Sequence, residues 1–239
     1  MGNDYEAIYR ERAADYDALV TAEDCDGALL PALESIAPLD GAAILEVGMG
    51  TGRLSRLLVP RARRFHGTER APQMLDIARA HLATLATGAA VTLEVGDARA
   101  LDVGDAWADI AIAGWVFGHF RSWYASDWKV EIGRALAEMN RVLVNEGTLV
   151  ILETLGTGST EPAPPRPELG EYYRWLEEEH GMTRLAIRTD YRFPDVETAA
   201  RTTGFFFGEA FAERVRAEQW SQIPESTGLW WRKGKRAVD

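Results

Sequence analysis

The run Ile44-Leu45-Glu46-Val47-Gly48-Met49-Gly50-Thr51-Gly52 limits what this chain can fold into more than any other stretch. An apolar segment holding one acid, Glu46, leads into three glycines at alternate positions. Leu54, Leu57 and Leu58 then recur at helical spacing. The order reads as a buried strand, a turn too tight for side chains, and a helix N-terminus. Glycine suits such a turn because, without a Cβ, it adopts positive φ freely and lets a ligand approach the backbone. The first N–H groups of the helix point back into the turn, which makes a cradle for a cofactor. The turn alone does not select the cofactor. A dinucleotide site favours Gly-x-Gly-x-x-Gly, whereas here the glycines alternate and an acid stands two residues before the first.

Beyond this run, strand-like and helix-like patterns alternate. Strands are expected at 43–47, 65–69, 91–95, 109–113 and 148–153, with helices at 53–59, 72–85 and 129–143. Asn145-Glu146-Gly147 reads as a turn closing the last of these helices. Such alternation predicts a parallel sheet with helices on both faces and a ligand at the carboxyl ends of the strands. Residues 5–20 show helical periodicity, and a short apolar segment at 28–36 precedes Pro38; both come before the first strand and are placed to cap the fold. After Glu153 come a Gly/Thr/Pro-rich loop (156–167), a helix over 169–180 and two strands at 184–193 and 222–232. Helical turns around 195–203 and 209–217 lie between those strands. With no internal repeat, the chain reads as a single domain: an N-terminal helical cap (1–40), a cofactor-binding core (41–155), an insertion or lid (156–182) and C-terminal strands and helices (183–239).

Composition narrows the function classes. A 239-residue chain with 46% hydrophobic residues can bury a sizeable core. Its net charge of −11 disfavours nucleic acid as a main partner, because phosphate neutralisation supplies most non-specific affinity. The basic groups Arg61, Arg63 and Arg64, and Arg232, Lys233, Lys235 and Arg236, read as solvated surface. The lone Cys25 excludes an intrachain disulfide and argues against a thiolate metal cluster, so no metal is expected. The first ten residues lack an apolar signal core, and no apolar run approaches transmembrane length. Glu6 stands where a myristoylation signal wants Ser or Thr. A cytoplasmic protein without a membrane partner is expected.

Several motifs together carry a family resemblance. Glu46-x-Gly48-x-Gly50-x-Gly52 resembles motif I of the class I S-adenosylmethionine-dependent methyltransferases. Glu69 falls seventeen residues beyond Gly52, where that family carries its ribose-binding acid. Gly96-Asp97-Ala98 is similar to the segment flanking the adenine, and Asp109-Ile110-Ala111-Ile112-Ala113 to the fourth-strand motif. The stretch from Glu138-Met139-Asn140-Arg141-Val142-Leu143 to Gly147-Thr148-Leu149-Val150-Ile151 resembles the fifth-strand segment. The resemblance covers residues 1–155 well and the last third only in general pattern. It departs at Ala71, where many relatives place Ser before the helix beginning Pro72-Gln73-Met74-Leu75.

The resemblance implies a three-layer αβα sandwich around a Rossmann-like, mostly parallel seven-stranded sheet with an antiparallel C-terminal strand. It also implies S-adenosyl-L-methionine as cofactor and S-adenosyl-L-homocysteine as product. On this basis Glu46, Gly48, Gly50, Gly52, Glu69, Asp97, Ala98, Gly114, Trp115 and Tyr16 are cofactor-binding candidates. Glu69 is suited to accept two hydrogen bonds from a ribose diol, and Asp97 one from the adenine amino group. Glu46 either orients the glycine loop or attracts the cofactor's ammonium, directly or through water.

The Asp-Pro-Pro-Tyr motif of many amino- and nucleic-acid methyltransferases is absent, and Trp115-Val116-Phe117-Gly118-His119-Phe120 stands in its place. His119 is the candidate general base; its other reading is a structural histidine in a helix-start turn. His66, His81 and His180 read as structural or surface residues. The family closes its site with an N-terminal helix and an insertion after the fifth strand, which makes Tyr5, Tyr9, Phe117, Tyr172 and Trp175 substrate-side candidates. The favoured reading is an enzyme methylating a small, partly apolar molecule at O, N or C. The alternative keeps the cofactor pocket for a non-methylating catalytic or binding role. The acceptor and the oligomeric state are not legible.

Overall fold

The computed structural model describes residues 5–234, with side chains from residue 7 onward. Its centre is β1 (Ala43–Val47), buried along its whole length because both faces are covered. Parallel to it on one side lie β2 (Arg64–Glu69) and then β3 (Ala90–Val95). On the other side are β4 (Ala108–Gly114) and β5 (Leu143–Thr157), also parallel. The last strand, β9 (Glu225–Lys233), runs antiparallel to β5 and is flanked by β6 (Thr183–Arg188). The sheet order is β3-β2-β1-β4-β5-β9-β6, seven strands with one antiparallel member.

Alternation along the strands sorts side chains between two faces. Ile44, Ile110, Ile112, Val150 and Leu152 pack with α3 (Leu29–Ile36), α4 (Ser55–Leu58) and α5 (Pro72–Leu82). Leu45, Val47, Ala111, Ala113, Leu149 and Ile151 pack with α6 (Phe117–Trp123), α7 (Trp128–Val142) and α8 (Pro167–Glu178). The result is three layers. Each fully buried Leu or Ile contributes about 1.5–3 kcal/mol by leaving water. A third cluster joins Leu19 to α9 (Val196–Phe207), where the Asp195 carboxylate accepts from Thr198 N at 2.7 Å, and to α10 (Glu209–Ala217). No helix among the described residues is long and apolar enough to cross a membrane.

Four local features differ from the pattern read in the sequence. Residues 5–20 form two helices, α1 (Tyr5–Glu11) and α2 (Ala13–Thr21), broken at Arg12 with φ −134°. Asn145–Gly147 closes no helix: α7 ends at Val142 and β5 begins at once, with Glu146 at φ +63°. A Cβ on Gly147 would lie 3.0 Å from the Asp109 carbonyl, so the strand passes its neighbour closely there. The segment 184–193 divides into β6 and β7 (Tyr191–Arg192), and 222–232 into β8 (Gln222–Ile223) and β9. Pro224, which has no N–H to offer a ladder, lies at the second break, and β7 pairs with β8 in a separate ribbon. Finally, the helix within the expected insertion (156–182) packs into the helical layer, with Leu169, Tyr172, Tyr173, Trp175 and Leu176 buried in the core, while Pro165, Arg166 and Leu169 line a cavity.

Candidate active site

The glycine turn opens into a cavity of about 340 Å³ at the carboxyl ends of β1 to β4. Gly48 sits at φ +66°, where a Cβ would lie 2.5 Å from Val116 Cγ2, so only a bare backbone fits under α6. Gly50, at φ +57°, faces the cavity itself. Its N–H donates to Glu69 Oε2 at 2.8 Å, while Ala71 N donates to Oε1 at 2.8 Å. These bonds fix the Glu69 carboxylate at the cavity wall, and burial raises its pKa. Across the cavity Asp97 is gripped by Arg99, with Nη2 at 2.6 Å and Nε at 2.9 Å, which holds its carboxyl below the usual range. Ala98, Gly114, Trp115 and Tyr16 complete the cofactor-binding candidates lining this cavity.

Two cofactor candidates stand behind the wall. Glu46 is buried beneath it and accepts from Ser55 Oγ at 2.6 Å; burial pushes its pKa up to about 8. It joins β1 to the first turn of α4, which is the loop-orienting role. Gly52, at φ +88°, faces Ala78 of α5, and a Cβ there would stand 3.4 Å from the Ala78 methyl. It lets a helix pack and does not line the cavity.

A second cavity of about 400 Å³ adjoins the first. Tyr9, Tyr16, Trp115 and His119 line both and so form the wall between them. The break at Arg12 matters here, because it lets Tyr9 and Tyr16 meet edge to face at 5.1 Å. Trp115 holds φ +57°, at the strand-to-helix corner after β4. His119 stacks on Trp123 at 5.2 Å, and its Nε2 lies 2.8 Å from Tyr9 Oη. Burial, helped by the charge of Arg166, pushes its pKa down to about 4, so the imidazole is neutral at physiological pH.

The second cavity is lined by Glu23, Arg53, Glu153, Arg166 and Glu225, with Phe206, Phe207 and Phe211 among the apolar groups. None of these was singled out in the sequence. Glu153 had a signal, since it ends a predicted strand and ligands lie at such ends. Arg53 directly follows the glycine turn. Glu23 and Glu225 carry no local signal. Conversely, Phe117, Tyr172 and Trp175 do not line either cavity. They are buried in the α6–α8 layer, where Trp128 packs edge to face on Tyr172 and Trp175. The helical spacing of these aromatics reflects packing. The side chain of Tyr5 lies outside the described residues.

Comparisons with known proteins agree with this geometry. A family profile described as a methyltransferase domain matches residues 45–151. The chain is 33% identical over 91 residues to an uncharacterized methyltransferase of Bacillus velezensis; the match spans 36% of this chain and 43% of that protein's length. The fold is shared with the YcgJ protein of Bacillus subtilis (TM-score 0.60, 14% identity, 88% of this chain and 100% of that one). It is shared too with phosphoethanolamine N-methyltransferase 2 of Haemonchus contortus, solved with phosphomonomethylethanolamine and S-adenosylhomocysteine (TM-score 0.55, 16%, 88% and 53%). Precorrin 8w decarboxylase of Methanobacterium thermoautotrophicum is similar in fold as well (TM-score 0.52, 16%, 85% and 88%). The glycine turn, the acids at the strand ends, the sheet order and the match over residues 45–151 agree in marking that part of the chain as a methyltransferase domain of Rossmann-like fold.

Proposed function

We propose that the protein binds S-adenosyl-L-methionine in the first cavity and transfers its methyl group to a small, partly apolar molecule in the second. The observation that carries this reading is the common wall: two cavities, each of small-molecule size, meet at Tyr9, Tyr16, Trp115 and His119. The residues present fit the cofactor. Gly48 and Gly50 provide a cradle that side chains would fill, Glu69 presents a fixed carboxylate to a ribose diol, and Asp97 and Ala98 stand where an adenine edge would lie. When bound, the cofactor supplies a methyl group activated by a sulfonium.

The chain's task is then chiefly alignment, which can be worth up to ~7–11 kcal/mol. Tyr9, Tyr16 and Trp115 exclude water and narrow the passage. His119, neutral at the junction and within hydrogen-bond distance of Tyr9, is placed to orient the acceptor and to take its proton where the chemistry requires one. The decarboxylase of similar fold keeps a second reading open, in which the same cavities serve a non-methylating reaction.

Calorimetric titration with S-adenosylhomocysteine and with NAD, followed by a labelled-methyl screen of small-molecule pools with Gly50→Arg as blank, tests the proposal. We expect S-adenosylhomocysteine to bind and one pool to take label. Tighter binding of NAD would overturn the cofactor assignment. Cofactor binding without any labelled pool would favour the non-methylating reading.

A further inference from the structure

Transfer to a small molecule does not by itself explain the charge of the second cavity. Glu23, Glu153 and Glu225, only 8%, 3% and 1% exposed, line it against Arg53 and Arg166. Arg53 is already committed, since it pairs with Glu23 and lies over the Trp115 ring at 3.3 Å. Glu225 Oε1 accepts from Thr154 Oγ1 at 2.7 Å, and Glu153 Oε1 from Gly118 N at 2.9 Å. Glu23 Oε1 and Glu225 Oε2, however, are buried and accept no hydrogen bond, while the Tyr191 and Thr157 side chains interact with the two carboxyl groups. Burial, and then the charge of Glu23, push Glu225 up to about 8, so these two carboxyls sense each other across the cavity.

Buried acceptors without donors are costly, and a ligand bringing both donors and positive charge removes that cost. The rest of the lining includes Leu19, Phe206, Phe207 and Phe211, with Phe206–Phe207 and Phe207–Phe211 ring centroids 5.1 and 5.0 Å apart. Aromatic faces also attract ammonium groups. Among the described residues no group of three or more His, Cys, Asp or Glu is arranged to hold a metal ion, which favours an organic cation.

We propose that the second cavity receives a primary or secondary amine on a ring-sized apolar body, bound as its ammonium between Glu225 and Glu23. This rests on the transfer reading, whose acceptor class it names. An ammonium offers two or three N–H donors, enough to serve both open oxygens. Its charge joins that of Arg53 in favouring the ionised form of both carboxyls, so Glu225 gives up its proton to solvent as the amine binds. Before transfer the ammonium passes one proton to the facing Glu225 carboxylate. The freed nitrogen lone pair then takes the methyl group as the carbon–sulfur bond breaks, leaving a neutral sulfide. The aromatic side of the cavity takes the apolar body.

Titration of the full chain with 2-phenylethylamine, 2-phenylethanol and 3-phenylpropionate, each with and without S-adenosylhomocysteine, tests this. The amine should bind at least about ten-fold more tightly than the alcohol, with the acid weakest. Glu225→Gln should erase that preference while its affinity for S-adenosylhomocysteine stays within about three-fold. No amine binding, equal binding of the alcohol or acid, or a preference that survives in both Glu225→Gln and Glu23→Gln overturns the proposal. The wild-type comparison decides the matter even if a variant fails to fold. Failure of S-adenosylhomocysteine to bind would instead sink the transfer reading, and the amine titrations without it would still judge the cavity.

Discussion

The floor of the first cavity is a glycine backbone turn, whereas the second cavity is lined mainly by side chains. Gly48 and Gly50 form the first from a single continuous run, helped by the residues that directly follow β2, β3 and β4. The second gathers Glu23, Arg53, Glu153, Phe206 and Glu225 from segments far apart in the chain, brought together by helix packing and the antiparallel return of β9. A backbone-built site tolerates little change, because each glycine is fixed by a conformation or a close approach. A side-chain-built site can be altered one residue at a time.

The comparison is broken most sharply by filling the backbone-built cavity. Gly50→Arg places a long side chain into it from a position of positive φ and should lower S-adenosylhomocysteine affinity at least about 100-fold by calorimetry. Affinity kept within about ten-fold would mean that the cofactor lies elsewhere.

A second effect probes the acids of the side-chain-built cavity. Burial raises the Glu153 pKa from an ordinary 4.5 to about 8. Between those values the folded protein holds a proton that the unfolded chain has shed, so stability falls as pH rises through that window and levels off above it. Glu153→Gln removes this loss. Relative to the parent, its unfolding free energy should improve by about 2–4 kcal/mol between pH 5 and 8 in denaturant titrations. The similarly raised Glu46 and Glu225 are present in both proteins and largely cancel in the difference. A pH-independent difference would show that Glu153 is ionised in the fold.

The most local effect falls at the shared wall. His119→Ala should slow turnover roughly 10²-fold and leave S-adenosylhomocysteine affinity within about three-fold. With the imidazole pKa near 4, no rate step attributable to His119 should appear between pH 6 and 8. Equal turnover in the two proteins would leave His119 as a packing residue against Trp123.

What could be read from the sequence follows the same division. Gly48, Gly50, Glu69 and Asp97, singled out through the family resemblance, line one cavity because each lies at a strand end. The sheet was legible because its buried strands are near-continuous apolar runs. The break at Arg12 was not, since the apolar spacing continues through it and only tertiary packing turns Tyr9 towards Tyr16. Tyr172 and Trp175 misled because an aromatic face looks the same whether it meets a ligand or Trp128. Glu225 was hidden because its place depends on a strand pairing with β5 about seventy residues upstream, near Thr157.

Arg53 follows Gly52 directly, yet its guanidinium reaches over Trp115 to Glu23 in the neighbouring cavity. A ligand that steadies the glycine turn therefore also restrains one charged group of the other chamber. To the extent that each occupant favours the same arrangement of this short stretch, their affinities are linked, and thermodynamic reciprocity requires the same factor in both directions. The arginine would thus give the two reactants a mechanical reason to be held together.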